Sequence, residues 1–385
     1  MKSKFTVADV LELEQNQLSK LTLTSWHART LHAIRRCRTQ AMGGHIDKCD
    51  CCNKLHISYN SCRNRHCTTC QGHKREECRA CRRTGINARG NELLEVPYFH
   101  VVFTLPLEFN EYALKEGKII YGSLFKAAWE TLKQFSENPK HLGAKMGMIS
   151  ILHSWGQNMS LHPHLHCIVP GGGITKNNKW KVCKNSGKYL FDVKSMSKVF
   201  RAKYVDLLRK SELKIPQSTY DKVFSKNWVV YAKRPFLKPE FVIEYLGRYS
   251  HKIAISNHRI KAIDKVKKTV TFSAKDYRKG GQKNDITLSC KDFIKRFSLH
   301  ILPKGFTRIR HYGILSSSWK KIKLPALQEM VNKRKVRVIA DETPITHHKR
   351  CPTCKKGKLV TVLLFDGRGP PEKWIKLVSI SKSKE

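Results

Sequence analysis

The chain has 385 residues, 74 Lys+Arg against 30 Asp+Glu, and a formal net charge of +44. A hydrophobic content of 40% excludes wholesale disorder, and no apolar run approaches the roughly 18 residues of a membrane-crossing helix. So large a cationic excess, spread along the whole chain, argues against action on small neutral molecules alone and points to a polyanionic partner. The first 26 residues lack an apolar core followed by a small-residue cleavage site, so no secretory signal is expected and the cytoplasm is the expected compartment. Nine of the 14 cysteines fall between Cys37 and Cys81, a clustering that suits metal binding in a reducing compartment better than disulfides.

Residues 1–95 read as one module. Its first 40 residues have helical periodicity (Val10, Leu11, Leu18, Leu21, Leu31, Ile34), and a cysteine-rich knot follows at 45–81. Beyond Pro97 the texture changes. Tyr98–Leu105 is aromatic and β-branched and reads as a strand. A helix is predicted over 111–136. Strands are predicted at 147–155 and 164–169, the latter ended by Pro170 and a turn at Gly171-Gly172-Gly173. A helix at 194–211 and a strand at 227–233 come next. Lys238-Pro239-Glu240 reads as the start of a helix running through Tyr245 and Tyr249. A strand hairpin is predicted at 258–276 with its turn at Lys265–Lys268, and a short amphipathic helix at 291–300. The expected organisation is a cysteine-rich module at 1–95, a second domain at 96–320 and a basic tail at 321–385. The fold class is α+β: a helical zinc module, then an antiparallel sheet with helices packed on it.

Cys49 and Cys52 form one C-x2-C knuckle, and Cys67 and Cys70 form another, 14 residues on. Two such knuckles can close a tetrahedron of thiolates around structural zinc. Cys51, Cys62, His45 and His66 lie inside or beside the pair, so the ligand assignment stays open at this point. Cys78 and Cys81 make a third knuckle. Cys351 and Cys354 make a fourth, which reads as half a site with His347 and His348 nearby. Residues 29–89 hold 14 Lys+Arg against 4 Asp+Glu, so the module presents a basic face suited to phosphates.

His162-Pro163-His164-Leu165-His166 is the most informative stretch. On a strand, alternate residues point the same way, so His164 and His166 project together while Leu165 enters the core. Two imidazoles at that spacing can share one divalent ion and leave positions for other ligands. His100, Gln157 and His251 are candidates for a third protein ligand. Tyr245 and Tyr249 would share one helix face.

A histidine–hydrophobic–histidine strand followed by a helix with Y-x3-Y is the signature of HUH single-strand endonucleases. The stretches GGHIDKC, YNSCRNRHCTTCQG, VPYFHVVFTLP, HPHLHCIVPGGG, YLGRYSHKIAISN and LPKGFTRIRHYGIL resemble the two-tyrosine rolling-circle transposases of bacterial insertion sequences, which carry an N-terminal zinc-binding domain. The resemblance covers roughly residues 30–315. It implies that His164 and His166 hold Mg²⁺ or Mn²⁺ against a scissile phosphate, and that Tyr245 or Tyr249 attacks it to give a 5′-phosphotyrosine and a 3′-hydroxyl. It implies single-stranded DNA, at element ends and target, as the partner. Trp155, Trp228, Tyr231, Phe236 and Tyr277 are candidates for stacking on bases, although most of them are expected in the core. A plasmid replication initiator or relaxase would use the same chemistry. A non-enzymatic zinc protein would leave the histidines and tyrosines idle, and a metal-dependent hydrolase would form no covalent adduct.

Overall fold

The computed structural model describes residues 4–72, 93–184, 189–236, 242, 252–276, 280–331 and 350–382. The predicted tyrosine helix, with Tyr245, Tyr249 and His251, lies outside these residues, as do Cys78, Cys81, Tyr277, His347 and His348. No helix among the described residues is long and apolar enough to cross a membrane.

The chain opens with α1 (Val7–Leu13) and α2 (Ser25–Arg35). A capping box starts α1: the Thr6 hydroxyl accepts the Asp9 N–H, and the Asp9 carboxylate accepts the Thr6 N–H at 2.7 Å. Thr24 caps α2 through the His27 N–H. The apolar stripes of both helices (Val10, Leu11, Leu31, Ile34) are buried, but not against the cysteine module alone. They share a core with β9 (Ile260–Asp264), β10 (Thr269–Asp276), β11 (Gln282–Ser289) and α7 (Cys290–Ser298). The predicted hairpin is present with its turn at Lys265–Lys268, and β11 adds a third strand to it. Alternation in β10 is clear: Val270, Phe272 and Ala274 are buried, and Phe272 meets Phe293 edge to face at 5.9 Å.

The cysteine-rich region contains β1 (Gly44–Cys49) and β2 (Leu55–Tyr59), paired antiparallel. On its other edge β1 pairs with β13 (Leu359–Phe365), from Gly44 opposite Phe365 to Cys49 opposite Leu359. The C-terminal segment therefore completes the sheet of the first module and is not a separate appendage. It ends in α9 (Glu372–Lys382).

A five-stranded antiparallel sheet lies at the centre, in the order β12 (Ile309–Gly313), β4 (Gly147–Trp155), β5 (Leu161–Pro170), β3 (Tyr98–Thr104), β8 (Val230–Phe236). Its two faces differ because the strands alternate. Phe99, Val101 and Phe103 of β3, Met148 and Leu152 of β4, and Leu165, Cys167 and Val169 of β5 point to one face. There they form the largest core, under α4 (Gly117–Glu137) and α5 (Val193–Arg209). The other face carries Tyr98, Ile149 and Ile168, packed with Val242, Ile314, Leu324 and Leu327; the last two lie on α8 (Ser317–Val331). Farther along this same face stand His153, His164 and His166. Α short α3 (Asn110–Lys115) precedes α4, so the predicted helix over 111–136 is broken at Glu116. Helix α6 (Gln217–Phe224) supports Trp228, whose indole N–H donates to the Val223 carbonyl and whose ring is core; against the expectation for most of these aromatics, Tyr231 is exposed and Trp155 and Phe236 are only partly buried.

The glycine run after β5 is not a free turn. Gly172 and Gly173 begin β6 (Gly172–Ile174), paired with β7 (Trp180–Val182). A Cβ on Gly172 would fall 2.6 Å from both the Lys181 carbonyl oxygen and the Trp180 ring, so the close approach requires glycine.

Candidate catalytic and structural metal sites

Among the described residues, eight cysteines gather into two separate sets of four. Cys37, Cys62, Cys67 and Cys70 form one, and Cys49, Cys52, Cys351 and Cys354 form the other; within each, the sulfurs lie within 4.8 Å of one another. The expected set of Cys49, Cys52, Cys67 and Cys70 thus does not surround one point. Each knuckle is intact, but each closes with different partners. In the first set Cys37 and Cys62 sit at 3.6 and 3.7 Å from the Cys70 sulfur. In the second, Cys49–Cys354 and Cys52–Cys351 are both 3.7 Å apart. Four sulfurs about 2.3 Å from one zinc stand about 3.8 Å apart, so both sets have the dimensions of a closed tetrathiolate. Hydrogen bonds within the first set split its thiols, bringing Cys37 and Cys70 down and pushing Cys62 and Cys67 up, so the four titrate as one cluster.

The remaining candidates stand outside these sets. Cys51 is exposed, and its amide donates to the Cys49 sulfur at 3.4 Å. His45 faces Asp47 at 3.3 Å. His66 is buried and accepts the Leu302 N–H at 3.3 Å, tying the first module to the loop before β12.

The histidines come from two adjacent strands. Register places His153 of β4 opposite His164 of β5, and Ile151 opposite His166. All three imidazoles consequently project from one face, each offering a nitrogen within 4.8 Å of the others. The His164 Nδ1–H donates to the His162 carbonyl at 2.7 Å, which turns Nε2 towards the group. His166 Nδ1 lies 2.9 Å from His100 Nε2, and the two rings stack with centroids 5.2 Å apart. The third imidazole of this group, His153, is not among the candidates His100, Gln157 and His251, because strand register is not written in a single strand. His100 buttresses His166 from β3, and Gln157 lines the cleft beside the group.

Burial is the main cause that holds all these imidazoles neutral. Desolvation, reinforced by neighbouring Lys252, brings His164 down to about 4, and His153 and His166 lie well below the usual range. Desolvation, with Lys233, also brings His100 to about 4. Neutral imidazole is the form that binds a metal, so the donor set fits a divalent transition ion better than Mg²⁺.

The trio opens into a cleft of about 760 Å³. Trp155, Gln157 and Lys252 line its near side, and Lys275, Asp276 and Asn284 of β10 and β11 line the far side. An adjoining cavity of about 260 Å³ shares Trp155, Gln157, Lys252 and Lys275 and reaches Thr68 and Gln71, beside the first cysteine set. Arg308 braces the near wall. It donates to the carbonyls of Leu152 at 3.0 Å and Lys252 at 2.5 Å and lies over the Trp155 ring.

Residues 10–105 match the family described as "Transposase zinc-binding domain", of the IS91 type, and residues 147–322 match the family described as "Putative transposase". The chain is 38% identical over 399 residues to "Putative transposase y4qJ" of Sinorhizobium fredii, across 96% of this chain and 98% of that one. It is 25% identical over 320 residues to "Transposase for insertion sequence element IS801" of Pseudomonas savastanoi pv. phaseolicola, across 75% of this chain and 70% of that one. No solved structure matches it.

Proposed function

The chain belongs to the transposase family that carries an IS91-type zinc-binding domain, and on that premise we propose that it cuts and rejoins single-stranded DNA through a 5′-phosphotyrosine. The supporting observation is the set of three neutral imidazoles at a cleft that Lys252 and Lys275 also line. Val242 is buried with Ile149 and Ile168, and Lys252 lines the cleft. In the sequence, Tyr245 follows Val242 by three residues and Tyr249 precedes Lys252 by three.

His153, His164 and His166 would hold a divalent ion, with Mn²⁺ favoured over Mg²⁺. When bound, the ion supplies Lewis-acid neutralisation of the scissile phosphate. His100 keeps His166 oriented. The phenol oxygen of Tyr245 or Tyr249 bonds to phosphorus as the bond from phosphorus to the 3′ oxygen breaks. The phenol loses its proton, and the departing 3′ oxygen ends as a hydroxyl. Lys252 offsets charge on the phosphate. Because one phosphoester replaces another, rejoining needs no ATP, and two tyrosines can hold two strand ends in succession. The adjoining cavities, with Lys252 and Lys275 between them, provide a route for a strand from the histidines to the zinc module. Such a protein works in the bacterial cytoplasm on chromosomal or plasmid DNA.

The test is incubation of labelled single-stranded element ends with Mn²⁺, followed by denaturing electrophoresis. A covalent adduct should form, and should vanish in Tyr245→Phe/Tyr249→Phe and in His164→Ala/His166→Ala. Cleavage without an adduct would make the protein a hydrolase, and binding without cleavage a zinc-stabilised DNA binder.

A further inference from the structure

We propose that Cys49 and Cys52 of the N-terminal module and Cys351 and Cys354 of the C-terminal segment hold one zinc ion between them, a second structural site that clasps the two ends of the fold. The segment matching the zinc-binding family, 10–105, contains the whole of the first cysteine set but only half of this one, and Cys351 and Cys354 lie outside both matched segments.

The two half sites are built alike although they lie about 300 residues apart. In each, the residue after the second cysteine has a left-handed backbone, Asn53 at φ 54 and Lys355 at φ 59. In each, that residue's N–H donates to the carbonyl of the first cysteine, Asn53 to Cys49 at 3.1 Å and Lys355 to Cys351 at 3.0 Å. In each, a backbone N–H points at a sulfur: Cys52 at Cys49 at 3.4 Å, and Gly357 at Cys354 at 3.3 Å. Donors aimed at sulfur stabilise thiolate, the form that binds a metal. Turns of this kind fold the chain so that two sulfurs converge, and here two turns converge on each other.

The surroundings hold the halves face to face. Β1 and β13 run into the site as hydrogen-bonded neighbours. Beyond them, the Asp50 N–H donates to the Lys358 carbonyl at 3.1 Å and the Asp50 carboxylate accepts the Lys358 N–H at 2.7 Å. Gly357 passes so close that a Cβ there would collide with the Cys49 sulfur. His56 Nε2 lies 3.4 Å from the Cys351 sulfur, positioned to donate to it. Four thiolates and one zinc carry a net charge of −2, and in a chain of charge +44 that charge finds ready compensation.

Two measurements on the full chain test the clasp. Zinc content after dialysis against a mild chelator should fall by one ion per chain in Cys351→Ser/Cys354→Ser. In the zinc-loaded wild-type protein, alkylation followed by mass spectrometry should find Cys49, Cys52, Cys351 and Cys354 protected together by about tenfold or more relative to exposed Cys51, and released together by strong chelation. The proposal fails if the variant keeps the wild-type zinc content, or if Cys351 and Cys354 react as fast as Cys51 while Cys37, Cys62, Cys67 and Cys70 stay protected. Should the variant not fold, alkylation of the wild-type chain decides alone.

Discussion

His153 on β4 and His164 on β5 are direct cross-strand partners, with ring centroids 5.6 Å apart and planes near perpendicular. The pairing supplies the third imidazole that a histidine–hydrophobic–histidine strand lacks. His153→Ala should lower Mn²⁺-dependent cleavage by about 100-fold or more and weaken Mn²⁺ binding measured by calorimetry. Cleavage within about twofold of wild type would remove His153 from the ligand set.

His100 acts through His166. His100→Phe keeps a stacking ring but removes the 2.9 Å hydrogen bond. Loss of such an outer partner costs about 10–100-fold in metal affinity. His100→Gln, which restores a polar partner, should recover most of it. Equal affinities in the Phe and Gln variants would reduce His100 to a packing role.

The depressed imidazoles set a pH dependence. An unfolded histidine titrates near 6.5, while His100, His164 and His300 titrate at about 4 in the fold. Between those values the unfolded chain binds more protons, so the stability from these groups is fully present above about 6.5 and is lost as pH falls towards about 4. Without divalent ions, the thermal midpoint should drop across that window. Mn²⁺ affinity should change little between about pH 7.5 and 6, because the ligands are already neutral. A flat midpoint across the window would contradict the burial seen here.

Two glycine substitutions should act in opposite directions. Gly357→Ala places a methyl against the Cys49 sulfur and should cost about 1–3 kcal/mol together with the second zinc ion. Gly122→Ala, within α4 and with open space around its Cβ, should stabilise by about 0.4–1 kcal/mol. Chemical denaturation alongside zinc analysis reads both. Retention of both zinc ions in Gly357→Ala would show that the approach can relax.

Arg308 links β4 at Leu152 to residue 252, three positions beyond Tyr249. Arg308→Lys keeps the charge but loses the fork that reaches both carbonyls, so it should cost about 1–3 kcal/mol. It should also slow adduct formation by about tenfold at saturating DNA, since a 1 Å misplacement is worth more than that. Unchanged adduct formation in a destabilised variant would limit Arg308 to holding the fold.

Much of this was legible in the chain. Alternation in HPHLHCIVP identified both the strand and the face bearing His164 and His166, and C-x2-C spacing identified the knuckles. What spacing does not encode is which knuckle meets which. Cys37 and Cys62 belong to no C-x2-C pair, and Cys351 and Cys354 lie about 300 residues from their partners, so local reading joined the first two knuckles of the chain instead. His153 was hidden for a related reason: its role follows from the pairing of β4 with β5, a non-local choice made by the core on the opposite face. Hydrophobic period also overlooked β11, whose exposed, polar residues (Gln282–Asp285) carry little strand signal.

The pairing of β1 with β13 has a temporal side. Cys49 and Cys354 are separated by 305 positions, which at about 5–20 residues per second is about 15–60 s of translation. Throughout that interval the early strand has an open edge and two waiting thiols. A ribosome that stops short releases a polypeptide whose opening module cannot close. Closure of that sheet therefore waits until the segment bearing Cys351, Cys354 and β13 has been made.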